Sequence, residues 1–319
     1  MKTQKNKSVV AVAGSIAFDV VMNFPGRFSA HILPGKIHDL NLSFVLNRLS
    51  PGFGGTAGNI AYNLALLQER SSVLTAVGAD FLTYRQHLSS FDIDLRGIKV
   101  DNKESCAAAF IITDADDNQI AGFYPGSGSL AQFNKLDKID ISYLIISPDA
   151  KNRMLAAQKW AKKRKIKYIF DPGQQVINFN QKELELMIKD AYIVIGNDYE
   201  IEVIKRTLRL KTVEAITPNQ HLIITKGSQG SEIITNNERI MISAVETTKA
   251  VDPTGAGDAY RAGLIKGLSL GLDLKKAAYL ASTVAVYAVE KKGTQLHKFT
   301  LTTLKKRLKN NYGISLRLT

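Results

Sequence analysis

Cysteine is almost missing from this sequence. Cys106 stands alone among 319 residues, so no disulfide can close within the chain, and a metal site built on cysteines would be incomplete. A reducing compartment, the cytoplasm, fits that usage. Long apolar runs are missing as well, and nothing approaches the roughly 20 residues that span a bilayer. The basic start MKTQKNKS leads into the short VVAVAG and then SIAFD, which reads as a first strand rather than a signal peptide. There are no internal repeats, low-complexity tracts or obvious linkers, so a single domain over 1–319 is expected. Zinc-finger, RNP and KH signatures are also absent, although the net charge is +13. The basic residues are scattered. Their local runs, Lys162-Lys163-Arg164-Lys165 and Lys305-Lys306-Arg307, lie on or beside amphipathic helical patterns, where a solvated face explains them. No nucleic-acid and no membrane partner is expected, and the charge remains available to attract an anionic ligand.

What is present is an ordinary globular composition, 45% hydrophobic and 22% charged, with a regular alternation of patterns. Val9 to Ala13, Val73 to Val77, Tyr143 to Ser147, Tyr168 to Phe170, Tyr192 to Ile195 and Leu222 to Thr225 are short apolar runs that read as buried strands. Helical patterns lie among them at Thr56 to Leu67, Lys151 to Lys163, Tyr199 to Thr207, Ala256 to Leu270 and Leu274 to Glu290. This βαβ rhythm predicts an α/β fold, a doubly wound, mostly parallel sheet flanked by helices. Two segments, about 16–50 and 105–126, break the rhythm. Ala107 to Tyr124 holds two strand-like runs joined by the turn-rich Asp114-Ala115-Asp116-Asp117-Asn118 and reads as a hairpin. Together the two segments predict a small β-sheet packed over the main one, as a lid, an oligomer contact or both.

Four glycine- or carboxylate-bearing stretches fall at or near the carboxyl ends of strands, where open α/β sheets bind ligands. In VDPTGAGDAYRAGLIKGL, Gly255, Ala256 and Gly257 would present backbone N–H groups at a helix N-terminus, with side chains small enough for an anion to come close. Asp258 immediately follows. A carboxylate there would repel a phosphate it merely bound, but it makes sense as the acceptor of a proton from an alcohol attacking that phosphate. A helix start with an acidic residue near the dipole is the plain alternative. In SPGFGGTAGNIAYNLALL, Gly54 and Gly55 end a loop before a helix carrying Asn59. Asn59 and the Gly55 backbone could bind the hydroxyls of a polyol, or the glycines could serve close packing alone. Thr225, Gly227 and Gly230 form a turn after a strand. Asn197 and Glu200 could cap a helix or meet phosphate and a hydrated Mg²⁺. The chain contains no G-x-x-x-x-G-K-[ST], which excludes a P-loop.

These motifs, in their order, resemble those of the ribokinase-like (PfkB) carbohydrate and nucleoside kinases. DPTGAGDAY is similar to the family's D-T-x-G-A-G-D-x-F, GGTAGN to its N-terminal glycine–asparagine signature, NDYE to N-x-x-E, TKGSQG to T-x-G-x-x-G, and GSIAFD to the first-strand motif. The resemblance implies Asp258 as general base and Gly255, Ala256 and Gly257 as anion hole. It implies Asp19, Gly54, Gly55 and Asn59 at the substrate, Asn197, Thr225, Gly227 and Gly230 at ATP, and Glu200 near Mg²⁺. Asp252 and Thr254 would hold a monovalent cation such as K⁺. Val286 to Gly293 would lie near the adenine. Pro253, Tyr260 and Arg261 depart from the usual residues, and Thr56-Ala57-Gly58 differs from ribokinases proper. GSIAFD, FPGRF, HILPGKIHDLNLSF, GGTAGNIAYNLALL and NQIAGFYPGS look closest to bacterial and archaeal adenosine or nucleoside kinases. Phe24, Phe44, Phe123 and Tyr124 would then supply an aromatic slot for the base, unless they simply pack the lid. The implied activity is phosphorylation of adenosine to AMP in purine salvage, with a homodimer through the lid as a possible assembly. A sugar kinase and a catalytically inactive nucleoside- or sugar-binding protein are the alternatives.

Overall fold

Strand β1 (Val9–Ala13) is buried along its whole length, and its side chains alternate between two cores. Val10 and Val12 enter one, and Val9, Ala11 and Ala13 enter the other. A strand with apolar neighbours on both faces needs no polar alternation, so VVAVA is a continuous apolar run. The computed structural model describes residues 8–32, 42–218, 220–236 and 238–318.

After β1 come β2 (Ala17–Asn23), β3 (Arg48–Gly54), α1 (Thr56–Leu66), β4 (Ser71–Gly78), α2 (Leu82–Ser89), β5 (Ile98–Asp101), β6 (Ala107–Thr113) and β7 (Gln119–Tyr124). Then follow β8 (Ile141–Ile146), α3 (Lys151–Arg164), β9 (Tyr168–Phe170), α4 (Gln181–Lys189), β10 (Ile193–Asn197), α5 (Asp198–Thr207) and β11 (His221–Thr225). The last elements are β12 (Ser231–Ile234), β13 (Arg239–Ile242), α6 (Ala256–Ser269), α7 (Leu274–Val289) and α8 (Leu301–Tyr312).

Among the described residues, nine strands form one sheet in the order β13-β12-β11-β10-β9-β8-β1-β4-β5. It is parallel from β11 to β5, and β12 and β13 are added antiparallel at one edge. Ile60, Leu88, Leu264, Leu280 and Leu304 bring α1, α2, α6, α7 and α8 into the core on one face. Met154, Leu184 and Ile201 bring α3, α4 and α5 into the core on the other. The predicted doubly wound sheet is therefore present. The antiparallel edge, β5, α2 and α4 are additions to the sequence reading.

The two segments that break the rhythm do make a second sheet, ordered β3-β2-β6-β7. Its centre is the parallel pair β2–β6, and β6–β7 is the expected hairpin. The first segment extends further than its expected end at 50, because β3 continues to Gly54 and delivers the chain into α1. Part of that segment, 33–41, lies outside the described residues. The two basic runs fall at helix ends and on helix faces. Lys162 meets Asp190 at 2.7 Å, Arg164 donates to the carbonyls of Leu136 and Ile139, and Arg307 grips Glu290 with both terminal nitrogens. Among the described residues, no helix is long and apolar enough to cross a membrane.

Candidate active site

The site is organised around the first turn of α6. Gly255 caps this helix at φ +79°, a left-handed conformation that favours glycine. The opening turn of a helix leaves N–H groups without partners inside it. Ala256 N–H, one of the three expected anion-hole groups, is engaged by the Pro253 carbonyl at 3.1 Å, which leaves the N–H groups of Gly257 and Asp258 to meet an anion. Asp258 follows, half-buried. Asn59 Nδ2 donates to its Oδ2 at 2.8 Å. Burial pushes the Asp258 carboxyl up to about 7, although the Asn59 hydrogen bond and the Arg261 charge pull the other way.

On one side of Asp258 stands the second sheet. Asp19, on β2, is also lifted by burial, to about 6. It crosses directly over Gly54, where a Cβ would lie 2.2 Å from Asp19 Oδ2, so any larger residue there would push the carboxylate out of this position. Gly55 is the N-cap of α1, and Asn59 follows one turn later with its N–H on the Gly55 carbonyl at 3.0 Å.

On the other side lies a cavity of about 1250 Å³, large enough for a nucleotide. Asn197, Thr225, Gly227 and Gly230 line it together with Ala256 and Gly257. Val286, Val289 and Glu290 close its far wall, where the expected adenine segment lies. The loop 244–250 also lines it and was not singled out in the sequence, since it carries no glycine or carboxylate pattern of its own.

Asn197 and Glu200 form a reciprocal cap on α5. Asn197 Oδ1 accepts from Glu200 N–H at 2.9 Å, and Glu200 Oε2 accepts from Asn197 N–H at 2.8 Å. The capping role anticipated for the pair is thus realised at the rim of the cavity. Burial, and then the Asp171 charge, raise the Glu200 carboxyl. Asp171 follows β9 directly and forms a buried two-point pair with Arg261, whose Nη1 also donates to the Gly257 carbonyl at 3.1 Å. The bulky charge that departs from the usual motif is therefore neutralised, and it braces the turn that presents Gly257. Asp252 Oδ1 accepts from Thr254 N–H at 2.9 Å and Oδ2 from Gly293 N–H at 3.1 Å, tying the loop before α6 to the loop after α7.

The aromatic residues separate. Phe24 and Phe44 pack on each other at 4.6 Å between ring centres, with Phe28 and His31 around them. They fill their own cluster, as lid packing would have it. Tyr124 donates to Glu104 Oε2 at 2.6 Å. Phe123 is 61% exposed. Its register partner is Ala109, which in turn pairs with Asp19, and residues directly opposite on neighbouring strands share a face. Phe123 therefore stands on the Asp19 face, two strands away. Asp171 and Gln295, which hydrogen-bonds Asn59 at 2.9 Å, escaped the sequence reading. The position of Asp171 at the end of the apolar run Tyr168 to Phe170 was a usable signal, whereas Gln295 had none.

Comparison with known proteins bears on the family and the fold. Residues 29–300 match the family model of the pfkB family carbohydrate kinases. A nucleoside kinase of Methanothermobacter thermautotrophicus is 32% identical over 298 residues, covering 91% of this chain and 92% of its own. The structure of the Burkholderia thailandensis nucleoside kinase in complex with ADP-inosine aligns with a TM-score of 0.81 at 32% identity, over 97% of this chain and 98% of that one. The Methanocaldococcus jannaschii nucleoside kinase, an archaeal member of the ribokinase family, aligns with a TM-score of 0.83 at 28% identity, over 96% and 99%.

Proposed function

This chain belongs to the pfkB family of carbohydrate kinases, and we propose from that membership that it transfers the γ-phosphate of ATP to the 5′-hydroxyl of adenosine, giving AMP. The relatives named nucleoside kinase, and the Burkholderia enzyme seen with ADP-inosine, support a nucleoside as acceptor. The chemistry rests on one observation. Asp258 directly follows Gly257, which lines the nucleotide-sized cavity, and is near enough to Asp19 for that carboxylate to raise it.

In this reading Asp19, Asn59 and the Gly54-Gly55 backbone hold the ribose hydroxyls, and Phe123 flanks the base. Asp258 takes the proton of the attacking hydroxyl. A carboxyl lifted to about 7 is matched to that task, since a general base works best when its pKa is near the working pH. The N–H groups around Gly257 receive the charge that spreads over the transferring phosphoryl oxygens. Thr225, Gly227 and Gly230 line the nucleotide, with Val286 and Val289 toward its base.

Magnesium fits this corner on charge. Asp171, Glu200 and Asp258 are all within electrostatic reach of a single guanidinium, Arg261. Glu200 would hold the ion, through water, as Mg²⁺ commonly prefers. Bound Mg²⁺ would neutralise charge on the phosphate oxygens. Asp252 and Thr254 would support a K⁺ site, which a comparison of rates in K⁺ and Na⁺ tests. We further propose that the chain acts as a single kinase domain in the cytoplasm, in purine salvage, and pairs with a second copy through the outer face of its lid.

The deciding experiment measures ADP release from ATP and Mg²⁺ with adenosine, inosine, cytidine, ribose, fructose and fructose 6-phosphate. Release with adenosine that disappears in Asp258→Asn supports the proposal. Release with inosine but not adenosine keeps the mechanism and changes the base. Release with a sugar alone overturns the nucleoside assignment.

A further inference from the structure

Asn59 could turn either end of its amide toward Asp258, and only the nitrogen end can donate. The choice is settled at the far end of a buried chain of hydrogen bonds. The carbonyl of Gly54, the last residue of β3, can only accept, so the Tyr84 hydroxyl donates to it at 2.7 Å. The Tyr84 oxygen is then left to accept, and Gln295 Nε2 faces it at 2.6 Å. That fixes the Gln295 amide. Its nitrogen also donates to Asn59 Oδ1 at 2.9 Å, and its Oε1 meets His87 Nε2 at 2.9 Å. That oxygen can only accept, so His87 carries a proton on Nε2, and burial disfavours the charged form of the ring. With Asn59 Oδ1 held by Gln295, the Asn59 nitrogen must face Asp258, as it does at 2.8 Å. The next residue back, Thr294, donates to the Phe53 carbonyl at 2.6 Å, so the same segment is pinned to β3 twice.

We propose that Gln295 is a positioning residue for the reaction: it fixes the Asn59 amide so that an N–H meets Asp258, and it ties that orientation to the end of the lid strand β3. The inference rests on Asp258 being the general base. Gln295 is buried and touches Asp258 only through Asn59. The other charged groups that act on Asp258 are Arg261 on its own helix, Asp171 after β9 and Asp19 on β2, and Asp258 in turn acts on Tyr84 from α2. Of these, Tyr84 is hydrogen-bonded to Gln295, whereas Arg261 and Asp171 hold each other. The Asn59 donation lowers the Asp258 carboxyl. Without Gln295, Asn59 is free to turn its carbonyl inward, against the carboxylate. The carboxylate then forms only at higher pH, and turnover is lost selectively on the acid side.

The test compares kcat–pH profiles of wild type, Gln295→Leu, Gln295→Met and Tyr84→Phe, with Asp258→Asn in parallel, using the best nucleoside of the panel. Gln295→Leu is expected to lose about tenfold at pH 7 and to recover most of it by pH 9, with KM for ATP unchanged. Tyr84→Phe, which leaves Gln295 in place but removes its anchor, is expected to shift the same limb by less. Gln295→Met keeps the volume and gives the answer if Gln295→Leu does not fold. Acid limbs that superimpose on wild type in Gln295→Met and Tyr84→Phe overturn the proposal, as does a loss that is equal at all pH values. If Asp258→Asn itself turns over normally, the base assignment falls instead, an outcome distinct from both.

Discussion

A carboxylate that is lifted by its surroundings costs stability wherever it is ionised, and Asp258 is such a group. Burial pushes its carboxyl up to about 7 in the folded chain from an ordinary value of 3.8. Between those values the native state holds a proton that the unfolded chain has released, so the stability contributed by this residue falls as pH rises from about 4 to 7. Asp258→Asn removes the ionised form and keeps a side-chain oxygen to accept the Asn59 N–H. Its melting temperature is therefore expected to exceed that of wild type at pH 8, with the gap closing toward pH 4, while kcat falls by about 100-fold or more. Thermal unfolding at the two pH values, beside the ADP assay, checks both. A variant less stable than wild type at pH 8 would mean that the charge at Asp258 is favourable in the fold, against the base reading. Asp19, raised to about 6 by burial, adds to the same trend over a narrower range.

At the scale of the element, α5 raises the question of whether a helix cap can also serve a ligand. Asn197 Oδ1 caps the helix, and Asn197 also lines the cavity. Aspartate caps as well as asparagine does but places a negative charge beside bound phosphates. Asn197→Asp is expected to hold stability within about 0.5 kcal/mol while KM for ATP rises about tenfold, and Asn197→Ala to lose about 1 kcal/mol. Chemical denaturation and ATP titration separate the two. An unchanged KM in Asn197→Asp would make the residue a cap alone. The same division between local and distant partners explains how much could be read from the sequence. Val9–Ala13 and Tyr168–Phe170 match their predicted bounds, because a strand buried on both faces is written as an uninterrupted apolar run. Strand β5 exposes Lys99 and Val100, and α4 buries only Leu184, Met187 and Ile188, so neither has such a run to show. Within the site, GAGD is legible because a glycine turn and its carboxylate are adjacent in sequence. Gln295 meets Tyr84 and Asn59 across 211 and 236 residues, and no local pattern can announce such a partnership.

At the scale of the molecule, the two faces of the small sheet carry different chemistry. One row across all four strands reads Gly52, Asp19, Ala109 and Phe123, small except for the carboxylate and the outer aromatic ring. Three residues along, on the opposite face, the corresponding row reads Leu49, Met22, Ile112 and Ile120, apolar throughout, with Leu49 65% exposed. Phe110, on the same face as that second row, is 48% exposed. The first row has the composition of a floor for a flat ligand, and the second that of a contact surface. Each face should therefore fail in its own way. Phe123→Ala is expected to raise KM for a nucleoside about tenfold, by removing the ring proposed to flank the base, and to leave oligomeric state unchanged. Phe110→Glu is expected to leave the nucleoside contacts in place and to convert a dimer into monomers on a sizing column with light scattering, since a buried unpaired charge is not tolerated in an apolar contact. A wild-type monomer at the concentrations used for turnover would end the dimer proposal. If Phe110→Glu separated the copies and also raised KM, the two faces would be coupled, and the lid would close over substrate only when braced by its partner.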